Sequence, residues 1–119
     1  MANEGFLGKT TISGEKAATD DHPVIIHALT LASDVTAPLK PGEILKRVED
    51  SGTYVYKPWA PGDTEAPRAV VNEPCDPAVE TSAKSVVHGC VKTRLLSAGG
   101  AAADYAAIEK LFDTGIYAV

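Results

Sequence analysis

Cysteine is scarce in this chain of 119 residues. The two thiols, Cys75 and Cys90, stand at a spacing that matches no zinc or redox motif. They read as two reduced thiols, with a disulfide between neighbouring strands as the second reading. Long apolar runs are missing too, and none approaches the ~20 residues of a membrane-spanning helix. Basic residues are outnumbered: eleven Lys and Arg stand against sixteen Asp and Glu, for a formal net charge of −5. They are also scattered, with only Lys46 and Arg47 adjacent. Nucleic acid and anionic membranes are bound through basic stripes, so neither is an expected partner. The first residues, MANEGFLGKTTISGEKAATDDHP, contain no apolar core of a secretory signal. Synthesis and residence in the cytoplasm are the expectation.

What is present divides at about residue 22. From Met1 to His22 the chain is polar, and Phe6, Leu7 and Ile12 are the only large apolar side chains after Met1. That is too little apolar surface to offset the entropy of ordering the segment alone. It reads as an arm, 1–22, preceding one β-rich domain, 23–119. Within the arm, Gly5-Phe6-Leu7-Gly8-Lys9-Thr10-Thr11-Ile12 has the composition to add as a strand to a partner's sheet edge. A merely frayed terminus is the plainer alternative.

From Pro23 onward strands dominate. Val24 to Leu31 is rich in branched apolar residues and predicts a strand covered on both faces. Pro38 to Trp59 predicts a β-hairpin. Ile44, Lys46 and Val48 alternate with Leu45 and Arg47, Glu49-Asp50-Ser51-Gly52 supplies the turn, and Thr53 to Tyr56 returns. Pro58 and Pro61 end it, because proline cannot donate a ladder hydrogen bond. Arg68 to Asn72 and Ser85 to Leu95 are two further strands, and Gly89 marks a bulge or a close backbone approach. Ala101 to Asp113 predicts a helix whose buried stripe is Tyr105, Ile108 and Phe112, widened by Leu111. Gly115 stops it, and Ile116 to Val119 returns to the sheet. The fold class expected is α+β, mainly β: a small barrel-like core with one C-terminal helix.

Reactive chemistry is thin. His22, His27 and His88 are far apart and read as structural or surface histidines. Cys90, His88 and an acid can be written as a triad, but no nucleophile motif supports it. Gly8-Lys9-Thr10 has the ending of a phosphate loop, yet position 3, where that loop needs glycine, is Asn3. Gly99-Gly100 at the expected helix start could hold an anion, although glycine there is more often structural. Trp59 is either a core plug or an interface anchor. No cofactor, metal or catalytic residue is expected, and the chain reads as a non-enzyme.

The order of these pieces resembles the lambda-type head decoration proteins of tailed bacteriophages. A polar arm and a strand precede Gly42-Glu43-Ile44-Leu45-Lys46, which leads to Gly52-Thr53-Tyr54-Val55. The late strand carries Gly89-Cys90-Val91, and the ending is Leu111-Phe112-Asp113-Thr114-Gly115-Ile116. The resemblance covers about Pro23 to Val119. The insertion from Pro58 to Arg68 and the two cysteines depart from the pattern. The resemblance implies a homotrimer on the outer surface of the expanded phage head, at three-fold and quasi-three-fold positions. There it would clamp neighbouring copies of the major capsid protein against the pressure of packaged DNA. The family's arm orders on the capsid. That role maps onto Met1 to about His22, with Phe6, Leu7, Lys9, Thr10, Thr11 and Ile12 as the contact residues. Two other non-catalytic readings share the composition: a head-fibre base or tail component, and a small β-barrel adaptor. A lipoyl- or biotinyl-type carrier is set aside, because the hairpin tip, Glu49 to Gly52, has no lysine to modify.

Overall fold

The computed structural model describes residues 23–119. Among these residues eight strands and one α-helix are formed: β1 (Ile25–Thr30), β2 (Ile44–Asp50), β3 (Thr53–Pro58), β4 (Pro67–Val71), β5 (Ser82–Val91), β6 (Ser97–Ala98), β7 (Ala101–Ala102), α1 (Tyr105–Asp113) and β8 (Ile116–Ala118). The main sheet runs β1-β5-β4-β2-β3, antiparallel throughout, and β8 adds to β5 in parallel. The domain is mainly β with one C-terminal helix, as expected.

The hairpin forms where the alternation places it. Asp50 pairs with Thr53, so the turn consists of Ser51 and Gly52 alone. Both take a positive φ, 54° and 86°, the geometry whose twist matches that of the flanking strands.

Period-two alternation on the central strands makes two cores, one on each face of the sheet. Ile44, Val70 and Val86 face a cluster with Trp59, Val91, Leu96, Ala107, Leu111 and Ile116, beneath the helix. Their neighbours Leu45, Ala69 and Val71 face the opposite cluster with Leu29, Leu31, Leu39, Cys75 and Ala83. Each fully buried Val, Leu or Ile side chain among these contributes roughly 1.5–3 kcal/mol. Ser85 is the buried polar residue among them, and its hydroxyl donates to the Ala83 carbonyl at 3.2 Å.

Four expectations need correction. The sheet is not closed into a barrel. Its end strands β1 and β3 touch at one corner, where Leu31 bridges Tyr56 and the Ala32 N–H donates to the Tyr56 carbonyl at 2.9 Å. Second, β1 is not covered on both faces: Val24, Ile25 and Ile26 are 44, 43 and 44% exposed. Among the described residues it pairs with β5 alone, and the doubly covered strands are the central ones. Third, β5 stops at Val91, and Thr93–Leu95 is a 3-10 turn.

Fourth, the helix begins four residues late. Gly99 and Gly100 turn the chain so that Ala101–Ala102 pairs with Ser97–Ala98. Asp104 then caps α1, its carboxylate accepting the Ala107 N–H at 2.9 Å. With only nine residues, α1 docks through Ala107 and Leu111, with Ile108 partly covered. Tyr105 is left 87% exposed, and Phe112 sits on the flank against Tyr117, ring centroids 5.4 Å apart. Gly115 follows the C-cap residue Thr114, and β8 returns to β5, both as expected.

Candidate interaction surface

Trp59 is 1% exposed and belongs to the chain's own core beneath the helix. Its indole N–H donates to the Glu65 carbonyl at 2.9 Å, and the Lys110 ammonium lies 5.4 Å from the ring centre. Of the two roles open to it, it fills the core one.

The insertion after Trp59 is tied down by charge. Asp63 accepts the Ala60 N–H at 3.0 Å, while the Asp63 N–H donates to the Ala60 carbonyl at 3.1 Å. The Lys46 ammonium reaches the Asp63 and Glu65 carboxylates at 3.0 and 3.4 Å. The hydrogen bond from the Ala60 N–H, then the lysine, holds the Asp63 carboxyl below the usual range. The Glu65 carboxyl is lowered by its own backbone N–H and then by Lys46. Lys46 is raised, first by Asp63. On β3, Lys57 binds Asp34 at 2.7 Å and lowers its carboxyl. This end of the sheet is closed by prolines and ion pairs.

The other end is different. Val24 and the first two residues of β1, Ile25 and Ile26, are half-exposed on consecutive positions, so both faces of the strand carry exposed apolar surface. The close approach read from Gly89 is present. Gly89 has φ +118°, and a Cβ there would stand 2.9 Å from the Val24 Cα and 3.0 Å from the Pro23 carbonyl oxygen. The ladder slips beside it, between Ile25 and Ile26. Glycine lets the start of β1 lie directly on β5.

Beside β1 opens a cleft of about 670 Å³, lined by His27 and Leu29 from β1, Arg47, Tyr56, Arg68, and Asp113 at the end of α1. The Arg47 guanidinium stacks over the Tyr54 ring at 4.2 Å. Two arginines against one carboxylate make this a cationic pocket on an acidic protein. Nothing in the sequence marks it, because its members, Val87 of β5 among them, come from six separate elements and share no spacing signal.

The remaining chemistry stays dispersed. Cys75 is buried, Cys90 is exposed, and both are free. The Cys75 thiol donates to the Ser82 carbonyl at 3.5 Å, and burial pushes it above its ordinary value. His88 packs edge-on to Tyr117, ring centroids 6.1 Å apart. Gly99-Gly100 lies in the β6–β7 turn and not at the helix start, where the Asp104 carboxylate already occupies the cap. Among the described residues, no group of three or more His, Cys, Asp or Glu is placed to hold a metal. No helix among them is long and apolar enough to cross a membrane. Phe6, Leu7, Lys9, Thr10, Thr11, Ile12 and the Gly8-Lys9-Thr10 sequence, like His22, lie outside the described residues.

Compared with protein-family models, curated proteins and solved structures, the chain matches none.

Proposed function

We propose that this protein is a capsid decoration protein. It would sit as a trimer on the outer surface of an expanded phage head and clamp the major capsid protein through the segment before Pro23. The observation that carries the reading is convergence. Gly42 to Lys46, Gly89 to Val91 and Leu111 to Ile116, far apart in sequence, supply Ile44, Val91, Leu111 and Ile116 to a single core cluster. The short signatures on which the resemblance rests are therefore parts of one packed unit. The remaining signature, Gly52 to Val55, forms the tip and return of the hairpin whose first strand carries Ile44.

The placement of the termini supports the same reading. The described residues begin at Pro23, directly before the exposed edge strand β1, so residues 1–22 are joined to the domain at that edge. A trimer would present three such segments together, and linked weak contacts bind far more tightly than one alone. The cationic cleft next to β1 adds a second contact surface for an acidic region of the capsid.

Mixing the purified protein with expanded procapsids tests this, with particle-bound protein measured by sedimentation and the particles imaged. Full-length protein is expected to coat the particles at regular sites. Deletion of residues 2–16 is expected to abolish binding and leave the domain folded. Normal binding by the truncated protein would sink the assignment of the contact to the arm. No binding by the full-length protein would sink the capsid reading itself.

A further inference from the structure

The cleft beside β1 crosses the unclosed sheet. Each strand of the order β1-β5-β4-β2-β3 lines it, through Leu29, Val87, Arg68, Arg47 and Tyr56 in turn. Its apolar part belongs to the second core: Leu29 is a member of that cluster, and Val87 and Tyr56 pack against it. Its two arginines differ from the lysines nearest them. Lys46 and Lys57 are ion-paired, with Asp63, Glu65 and Asp34. Arg47 and Arg68 have no ion pair among the described residues, although Asp113 lines the same cleft. Arg47 is held by a cation–π contact with Tyr54, 4.2 Å from the ring centre, which leaves its charge uncompensated. Arg68 follows Pro67, which is fully buried and anchors the start of β4.

We propose that this cleft binds an acidic segment of a partner protein, with carboxylates on Arg47 and Arg68 and short apolar groups against Leu29 and Val87. Three observations choose that ligand. Two uncompensated guanidiniums in one cleft select an oxyanion, because each offers a planar fork of donors that matches a carboxylate. The cleft's volume of about 670 Å³ is that of a site for a body of several residues' side chains, not for one bare anion. Leu29 and Val87 beside the arginines give the stem of a glutamate, or the residue next to it, an apolar surface to cover. Asp113 bears the opposite charge in the same cleft, so the carboxylates belong beside the arginines and away from the end of α1. On a chain of net charge −5, a local excess of positive charge also steers an acidic partner to this one face. Where the partner is the capsid of the reading above, the acidic segment is the capsid protein's, but the recognition itself rests on the cleft and not on that reading.

An NMR titration of the full-length protein with a capped hexapeptide of alternating glutamate and alanine tests it, at low ionic strength, where exposed charges are least screened. Saturable shifts of the Tyr56, Arg68 and Val87 amides are expected. Arg47→Gln and Arg68→Gln are each expected to weaken binding about fivefold or more. Asp113→Asn is expected to strengthen it about twofold or more, a gain that no damaged fold would produce. Lys92→Gln removes a charge outside the cleft and is expected to change binding by less than about twofold. The absence of saturable binding would overturn the proposal, as would arginine variants that bind like the unmodified protein, or equal binding of the same peptide with glutamine in place of glutamate. Displacement of the peptide by an equal concentration of glutarate or inorganic phosphate would overturn it too, by assigning the cleft to a small free anion. No particle is present in this titration, so its failure leaves the procapsid experiment to decide the capsid reading, and the failure of that experiment leaves this one to decide the cleft.

Discussion

The two ends of the sheet were built by opposite means. At the β3 end, the chain finishes its own surface. Trp59 plugs the core, prolines end the ladder, and Lys46 and Lys57 pair with Asp63, Glu65 and Asp34. At the β1 end, apolar side chains and outward backbone groups are left without cover from the described residues. Both strands carry β-branched residues, Ile25 and Ile26 in β1 and Thr53 and Val55 in β3, so strand propensity does not separate them. What separates them is whether the following segment folds back. After β3, Trp59 to Glu65 does so, with the Glu65 carbonyl accepting the indole proton. The difference teaches that the described chain covers one end of its sheet by its own fold and leaves apolar surface exposed at the other.

Removing a large side chain from each end is the severest way to break that comparison. Trp59→Ala empties a fully buried site and is expected to lower stability by about 3–5 kcal/mol. Ile25→Ala removes a side chain already 43% exposed and is expected to lower it by less than about 1 kcal/mol. Chemical denaturation of both variants, compared at constant slope, checks the pair. Equal losses would show that β1 is as integral to the fold as the hairpin end.

A smaller and sharper contrast comes from two glycines. Gly52, at the hairpin tip, has open space around its missing Cβ, so Gly52→Ala meets backbone strain alone, about 1–2 kcal/mol. Gly89 has the same kind of backbone, but a Cβ there runs into the backbone of Val24 and Pro23. Gly89→Ala is expected to lower stability by about 2–4 kcal/mol, strain plus displacement. It should also loosen the start of β1, seen as faster amide exchange there and not in β2. A variant as mild as Gly52→Ala would mean that β1 moves aside freely.

Much of this was legible in the residues. The hairpin could be read because alternation and turn chemistry agreed over its whole length. Gly115 and the return of β8 could be read because a helix stop and a short apolar end leave few alternatives. Other features were hidden for physical reasons. Ala101 to Ala103 have high helix propensity, yet the Gly99-Gly100 turn folds Ala101–Ala102 back on Ser97–Ala98, and that local pairing wins. An apolar run such as Val24 to Leu31 reports what a strand could bury, not how many neighbours it has. Trp59 was ambiguous because flanking prolines erase the alternation that assigns a side to a residue. The cleft of Arg47, Arg68 and His27 exists only once the strands are assembled.

The gentlest test concerns the ion pairs that close the β3 end, and it turns on sign. The Asp63 and Glu65 carboxyls are held below the usual range in the fold. Their contribution is therefore complete above the unfolded carboxylate values, about 3.9–4.3, and is lost as pH falls through the lower folded values. Lys46 is raised. Its contribution is complete below the unfolded lysine value, about 10.4, and is lost as pH rises through the higher folded value. Both limbs should weaken near 1 M salt, where the screening length is only about 3 Å. The limbs then separate the two causes acting on Asp63. Lys46→Gln removes the alkaline limb altogether. It only shrinks the acid limb, because the Ala60 N–H still donates to the Asp63 carboxylate. Thermal melts from about pH 2 to about pH 11 on the two proteins should show this asymmetry. If Lys46→Gln erased the acid limb as well, the lysine and not the backbone turn would be what fastens the insertion, and the β3 end would depend on salt far more than its prolines suggest.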